Sequence, residues 1–110
     1  MLITEFCKTY GVDKGEVDYW TRIGLLHPRV MKNGYRDYSG RAEDEVEMIL
    51  VAKVVDSPGS FESNLESIRG MDNHQLRKLL TKMKDSDDIR SLNYKIAYNK
   101  IARMIEGTDL

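Results

Sequence analysis

The dipeptide Asn33-Gly34, set between the short runs Arg29–Lys32 and Tyr35–Ser39, constrains this chain more than any other feature. Asn-Gly between extended runs is a strong hairpin signal, because a type I′ turn needs positive φ at both central residues. In the second run Tyr35 and Asp37 are expected on one face, Arg36 and Tyr38 on the other. A hairpin of this length is marginal alone and must lean on helices beside it. Just before it, Gly24 and Pro28 interrupt the helical stretch VDYWTRI; proline cannot continue a helix. The expected fold class is mainly α with one small β-hairpin wing.

Helical spacing places the remaining elements. Ile3, Phe6, Cys7 and Tyr10 recur on one face of a first helix, closed by Gly11. Asp13 caps a second helix, with Glu16 three residues on as in a capping box. Val17, Trp20 and Thr21 or Ile23 supply its apolar side, and Leu25 and Leu26 point inward. Two helices joined by a short Gly-containing turn outline a helix-turn-helix. Ser39 is expected to cap a third helix with an Ala42, Val46, Ile49, Leu50 and Val54 stripe. Ser57-Pro58-Gly59-Ser60 ends it. Phe61, Leu65 and Ile68 mark a fourth helix, and Leu76, Leu79, Leu80 and Met83 a fifth over 72–84. Asp85-Ser86-Asp87-Asp88 reads as a turn that also caps a last helix over 88–106. Trp20 and Tyr35 read as core anchors of helix and wing, and Cys7 as a small core residue.

Charge is distributed unevenly. The net charge of −1 hides a basic stretch (Arg22, Arg29, Lys32, Arg36 and Arg41 against Asp37), an acidic stretch from Glu43 to Glu66, and a second basic stretch from Arg77 to Arg103. Local potential steers partners, not the chain total. The first stretch interleaves cations with aromatic and turn residues, as a nucleic-acid surface does. For the last stretch a solvated helix face is the more ordinary reading. A single cysteine allows no internal disulfide and favours a reducing compartment. There is no signal-peptide pattern and no apolar run near the ~20 residues that span a bilayer. The expected address is the cytoplasm.

The segments ITEFCKTYGVD, VDYWTRIGLL, Pro28 followed by NGYRDYS, and the acidic third helix resemble the DNA-binding domain of MerR-type transcription regulators. The resemblance covers about residues 2–69; excisionases and some plasmid-transfer accessory proteins use a similar winged helix-turn-helix. It implies a DNA-binding domain over 1–70 and a C-terminal helical extension over 71–110. It implies a recognition helix over Asp13–Ile23, with Tyr19 at a phosphate and Arg22 near the backbone. Arg36 would contact phosphate or enter the minor groove, with Tyr38 beside it. With the basic cluster, the expected DNA-facing set is Lys14, Asp18, Tyr19, Arg22, Arg29, Lys32, Asn33, Arg36, Tyr38 and Arg41. Two positions depart from the pattern: Asp18 stands where an Arg is common, and Val30 where a basic residue is frequent. A carboxylate repels phosphates but can accept from cytosine N4, so more of the binding is expected from the wing.

The last forty residues lack cysteine, which excludes a thiolate metal sensor there, and are too short for a drug-binding domain. Their apolar stripes are expected to pack on the third and fourth helices, on a second copy, or on both, and the second copy would give a homodimer. No phosphate-binding loop, catalytic triad or metal spacing occurs, and neither His27 nor His74 has a second ligand at useful spacing. The expectation is a non-enzymatic binder of double-stranded DNA, without cofactor, metal, membrane or small-molecule effector. Its role is a small transcription regulator or an accessory factor for transfer, excision or other mobile-element processing. A helical protein-interaction module would account for the near-neutral charge but not for the basic hairpin.

Overall fold

A computed structural model describes residues 1–55 and 61–107, the side chain of Phe61 aside. The elements run α1 (Ile3–Tyr10), α2 (Lys14–Arg22), β1 (Arg29–Val30), β2 (Arg36–Asp37), α3 (Arg41–Val54), α4 (Phe61–Arg69), α5 (Asn73–Lys84), a 3₁₀ turn (Asp87–Arg90) and α6 (Leu92–Glu106). This is the mainly helical fold with a two-stranded antiparallel hairpin that the sequence leads one to expect. The chain divides into two compact units, Met1–Glu47 and Met48–Leu110, with the division inside α3. The break expected at Ser57-Pro58-Gly59-Ser60 lies outside the described residues.

In the first unit, α1 ends where Gly11 takes the left-handed conformation at φ 66°. A capping box then starts α2, in which the Glu16 carboxylate accepts from the Asp13 N–H at 3.3 Å. Its core holds Phe6, Tyr10, Val12, Val17, Trp20, Leu26, Tyr38, Ala42 and Val46. The Phe6 ring lies between two others, with centroids 5.1 Å from Tyr10 and 4.9 Å from Tyr38. Full burial of a side chain this large contributes about 1.5–3 kcal/mol, so this cluster anchors α1 to the base of the hairpin. The Tyr10 hydroxyl donates to Glu43 Oε1 at 2.9 Å. Burial, and then that bond, push the Tyr10 phenol well above the usual range.

Three local expectations need correction. Ser39 does not cap α3: its hydroxyl faces the Met1 ammonium at 2.9 Å, while Gly40 at φ 70° precedes the helix and donates to Glu43 Oε2 at 3.1 Å. The Asp85–Asp88 turn does not cap a helix over 88–106. Ser86 caps the 3₁₀ turn, accepting from the Asp88 N–H at 3.2 Å, and α6 starts afresh behind Ser91. Cys7 is half-buried, not enclosed.

In the second unit, α5 begins with a capping box of Asp72 and Gln75 and contacts both the 3₁₀ turn and α6. Buried side chains there include Leu65, Ile68, Leu76, Met83, Ala97 and Ile101. Leu79, Leu80, Ile96, Met104 and Ile105 are half-buried. Among the described residues no helix is long and apolar enough to cross a membrane.

Candidate nucleic-acid interface

The hairpin is built differently from a type I′ design. Its register pairs Arg29 with Asp37 and Val30 with Arg36. The Met31 N–H donates to the Tyr35 carbonyl at 2.7 Å, and the Gly34 N–H to the Met31 carbonyl at 2.9 Å. The loop is therefore three residues, Lys32-Asn33-Gly34, with positive φ at Gly34 alone (86°). A three-residue loop of this kind places its left-handed residue last. Asn33 stays at negative φ, and its carboxamide oxygen accepts from the Tyr35 N–H at 3.1 Å.

The hairpin's two tyrosines exchange the roles expected of them. Tyr38 is 1% exposed and belongs to the core, where it forms part of the floor of the groove between α2 and the hairpin, whereas Tyr35 is 62% exposed and is not a core anchor. The two rings lie on opposite faces of the strand and at opposite ends of it. Tyr38 emerges at the base, where its N–H donates to the Met1 carbonyl at 2.8 Å. Tyr35 sits beside the loop, out in solvent. The Tyr38 hydroxyl is buried and finds no partner among the described residues.

Asp37 organises the base of the hairpin. Its carboxylate takes the Met1 α-ammonium at 2.8 Å, the Ser39 N–H at 3.0 Å and the Arg29 guanidinium at 3.2 Å. The ammonium first, then the Ser39 contacts, hold its carboxyl well below the usual carboxylate range. On the other side His27 docks on Glu45, donating its N–H to Oε1 at 2.8 Å and placing Nδ1 2.5 Å from Oε2. Arg41 reaches the same carboxylate at 3.4 Å.

These contacts sort the expected residues. Lys14, Asp18 and Arg36 are exposed and share one groove with Leu2, Ile3, Thr4, Gly34, Tyr35 and Tyr38. Lys14, Asp18 and Arg22 stand four residues apart, on one side of α2. Tyr19, 49% exposed, carries the Arg22 guanidinium 5.5 Å from its ring centroid, a spacing suited to a cation–π contact. Lys32 and Asn33 are exposed in the loop. Arg29 and Arg41 are exposed too, but each already faces a carboxylate. Exposed ion pairs are weak, near 0–1 kcal/mol, so neither cation is locked away from a phosphate. Asp18 adds a negative charge to the groove that holds Lys14 and Arg36. Burial first, and then the carboxylates of Asp18 and Asp13, push the Cys7 thiol up, which keeps it protonated and a poor nucleophile.

Sequence reasoning missed the apolar character of this surface. Val30 (69%), Met31 (41%) and Tyr35 (62%) are exposed on the hairpin, and Leu2 (52%) beside its groove. The signal was present in Val30 standing where a cation is frequent in the resembled pattern. Among the described residues no group of three His, Cys, Asp or Glu side chains could hold a metal ion.

Comparison with family models matches residues 1–53 to the MerR HTH family regulatory proteins. No curated protein and no solved structure matches the chain.

Proposed function

Proceeding from residues 1–53 as a MerR-type helix-turn-helix DNA-binding domain, we propose that this chain grips double-stranded DNA between α2 and the hairpin. The observation that carries the reading is the groove where Lys14 and Asp18 of α2 meet Arg36 of the hairpin, with Tyr19, Arg22 and Lys32 exposed around it. A helix of this length fits the major groove, and a hairpin reaches the flanking backbone or minor groove. Phosphate contacts from Lys14, Arg22, Lys32 and Arg36 supply affinity and register, and base-edge contacts supply sequence choice. Arg29 and Arg41 add to them by exchanging a carboxylate for a phosphate. Asp18 is the group suited to accept from cytosine N4.

The role we favour is a small transcription regulator without an effector-binding domain. It acts as a homodimer through its C-terminal helices, which places two recognition units about 34–36 Å apart on the duplex. A second reading, an accessory factor in excision, transfer or other mobile-element processing, draws on Val30, Met31 and Tyr35. Such side chains can enter a minor groove and bend DNA. The test is a salt titration of duplex binding followed by footprinting on the chain's own locus. A steep linear fall of log K with log salt supports the binder; no binding at low salt removes the reading. Footprints over a promoter favour regulation, and footprints beside a recombination or transfer origin favour the accessory role.

A further inference from the structure

Helix α5 carries Arg77, Lys78, Lys82 and Lys84 and no acidic residue along NHQLRKLLTKMK. All four cations are exposed, opposite the buried Leu76 and Met83. Among the described residues none of them has an acidic partner. A surface helix gains stability from acids four residues away from its cations, and like charges at that spacing cost a few tenths of a kcal/mol. Here Lys78 and Lys82 are such a like-charged pair. The arrangement works against the helix in isolation and favours an external polyanion.

A second observation extends the surface. At the end of α5, Lys84 lines a groove with Ile89 of the 3₁₀ turn and Lys95, Tyr98 and Asn99 of α6. Lys84, Lys95 and Asn99 thus line one concavity together with the apolar surface of Ile89 and Tyr98, and the two lysines add their charge to that of α5. The exposed positions of α5 carry no apolar side chain. A membrane-surface helix would need a wide apolar face free to insert; on α5, Leu76 and Met83 are buried and only Leu79 and Leu80 stay half-exposed. A nucleic-acid backbone is the polyanion that matches a chain with a DNA-binding domain over residues 1–53.

We propose that α5 and the Lys84–Lys95 groove form a second, sequence-independent phosphate-binding surface, which engages the DNA backbone and makes the chain a bipartite DNA binder. The identity of the polyanion rests on the function proposed above; the cationic surface does not.

The experiment uses the full chain and a fluorescent duplex of about three helical turns, with anisotropy followed from 50 to 300 mM KCl as order-of-magnitude limits for counterion release. The variant Arg77→Gln/Lys78→Gln/Lys84→Gln/Lys95→Gln is expected to flatten the log–log slope by ~0.9 per lost phosphate contact, roughly 2–4 in all. The loss of affinity should be equal on unrelated duplex sequences. The double variant Lys78→Gln/Lys82→Gln relieves the like-charge pair and should melt no lower than the parent, so a flattened slope there cannot come from unfolding. A slope unchanged in both variants overturns the inference. A parallel Lys14→Gln/Arg36→Gln variant separates the two readings. If it weakens binding while the α5 variants do nothing, this surface falls and the proposed function stands. If the α5 variants flatten the slope and the α2–hairpin variant does nothing, the reverse holds. Vesicles containing phosphatidylserine provide the last arm: α5 variants that lose vesicle binding with an unmoved duplex slope assign the surface to lipid and overturn the proposal.

Discussion

Replacing Tyr38 by Phe removes one oxygen from the core, and the structure gives that change a sign. The Tyr38 side chain is 1% exposed and its hydroxyl is buried without a partner among the described residues. An unsatisfied buried hydroxyl costs about 1–3 kcal/mol. The ring itself stays against Phe6, at a centroid distance of 4.9 Å, so packing is kept. Tyr38→Phe is therefore expected to stabilise the chain by about 1–2 kcal/mol, raising Tm by roughly 4–8 °C. Tyr38→Ala should instead cost ~3–5 kcal/mol by emptying the site. Urea denaturation followed by circular dichroism reads both changes. Duplex affinity of Tyr38→Phe, measured by anisotropy, should match the parent, because the hydroxyl does not reach the surface. A loss of 1 kcal/mol or more (an order-of-magnitude threshold for a lost hydrogen bond), or a tenfold fall in affinity, would refute this reasoning. The first would mean that the hydroxyl is bonded, the second that it touches DNA.

Three further outcomes follow from the same geometry. Arg36→Gln should weaken duplex binding more than Lys14→Gln, since Asp18 lies in the α2 part of the groove; the opposite order in an anisotropy assay dismisses the larger share given to the hairpin. The depressed Asp37 carboxyl contributes stability that is present above its unfolded pKa of about 3.9 and lost as pH falls toward its folded value. The stability gap between the parent and Asp37→Asn should therefore narrow below about pH 4, and urea titrations that show a gap independent of pH over 3–6 would contradict it. Gly15 lies in the first turn of α2 with nothing within 4 Å of an added Cβ, so Gly15→Ala should stabilise by about 0.5–1 kcal/mol; a thermal melt showing a lower Tm refutes the open space around it.

The sequence was informative where one local interaction decides the structure. Gly11 closes α1, Asp13 and Glu16 open α2, and Asn33-Gly34 turns the hairpin, each within a span of about four residues. It was less informative where competing local choices are nearly equal. Ser39 is a good capping residue, yet its hydroxyl is taken up by Met1, a contact made across 38 positions, and Gly40 precedes the helix instead. Ser86 and Ser91 divide between them a start that the run Asp85–Asp88 had suggested was single. The site was legible in composition but not in orientation. Alternation puts Tyr35 and Tyr38 on opposite faces, but the pattern does not say which face the core covers, and it is Tyr38 that is covered. Pairings such as Arg29 with Asp37 and Arg41 with Glu45 depend on three-dimensional placement that periodicity does not report.

The two legs of the hairpin are fastened by different chemistry. The returning leg ends in the ring of Tyr38, wedged against Phe6. The entering leg is held at His27 by one carboxylate, Glu45, which Arg41 also claims. Raising ionic strength screens this fastening and the Asp37–Met1 ion pair of the returning leg, and leaves the aromatic contact untouched. The hairpin is thus hung like a door, with its hinge on the aromatic side and its latch on the polar side, and a phosphate that draws Arg41 away alters the latch without loosening the hinge.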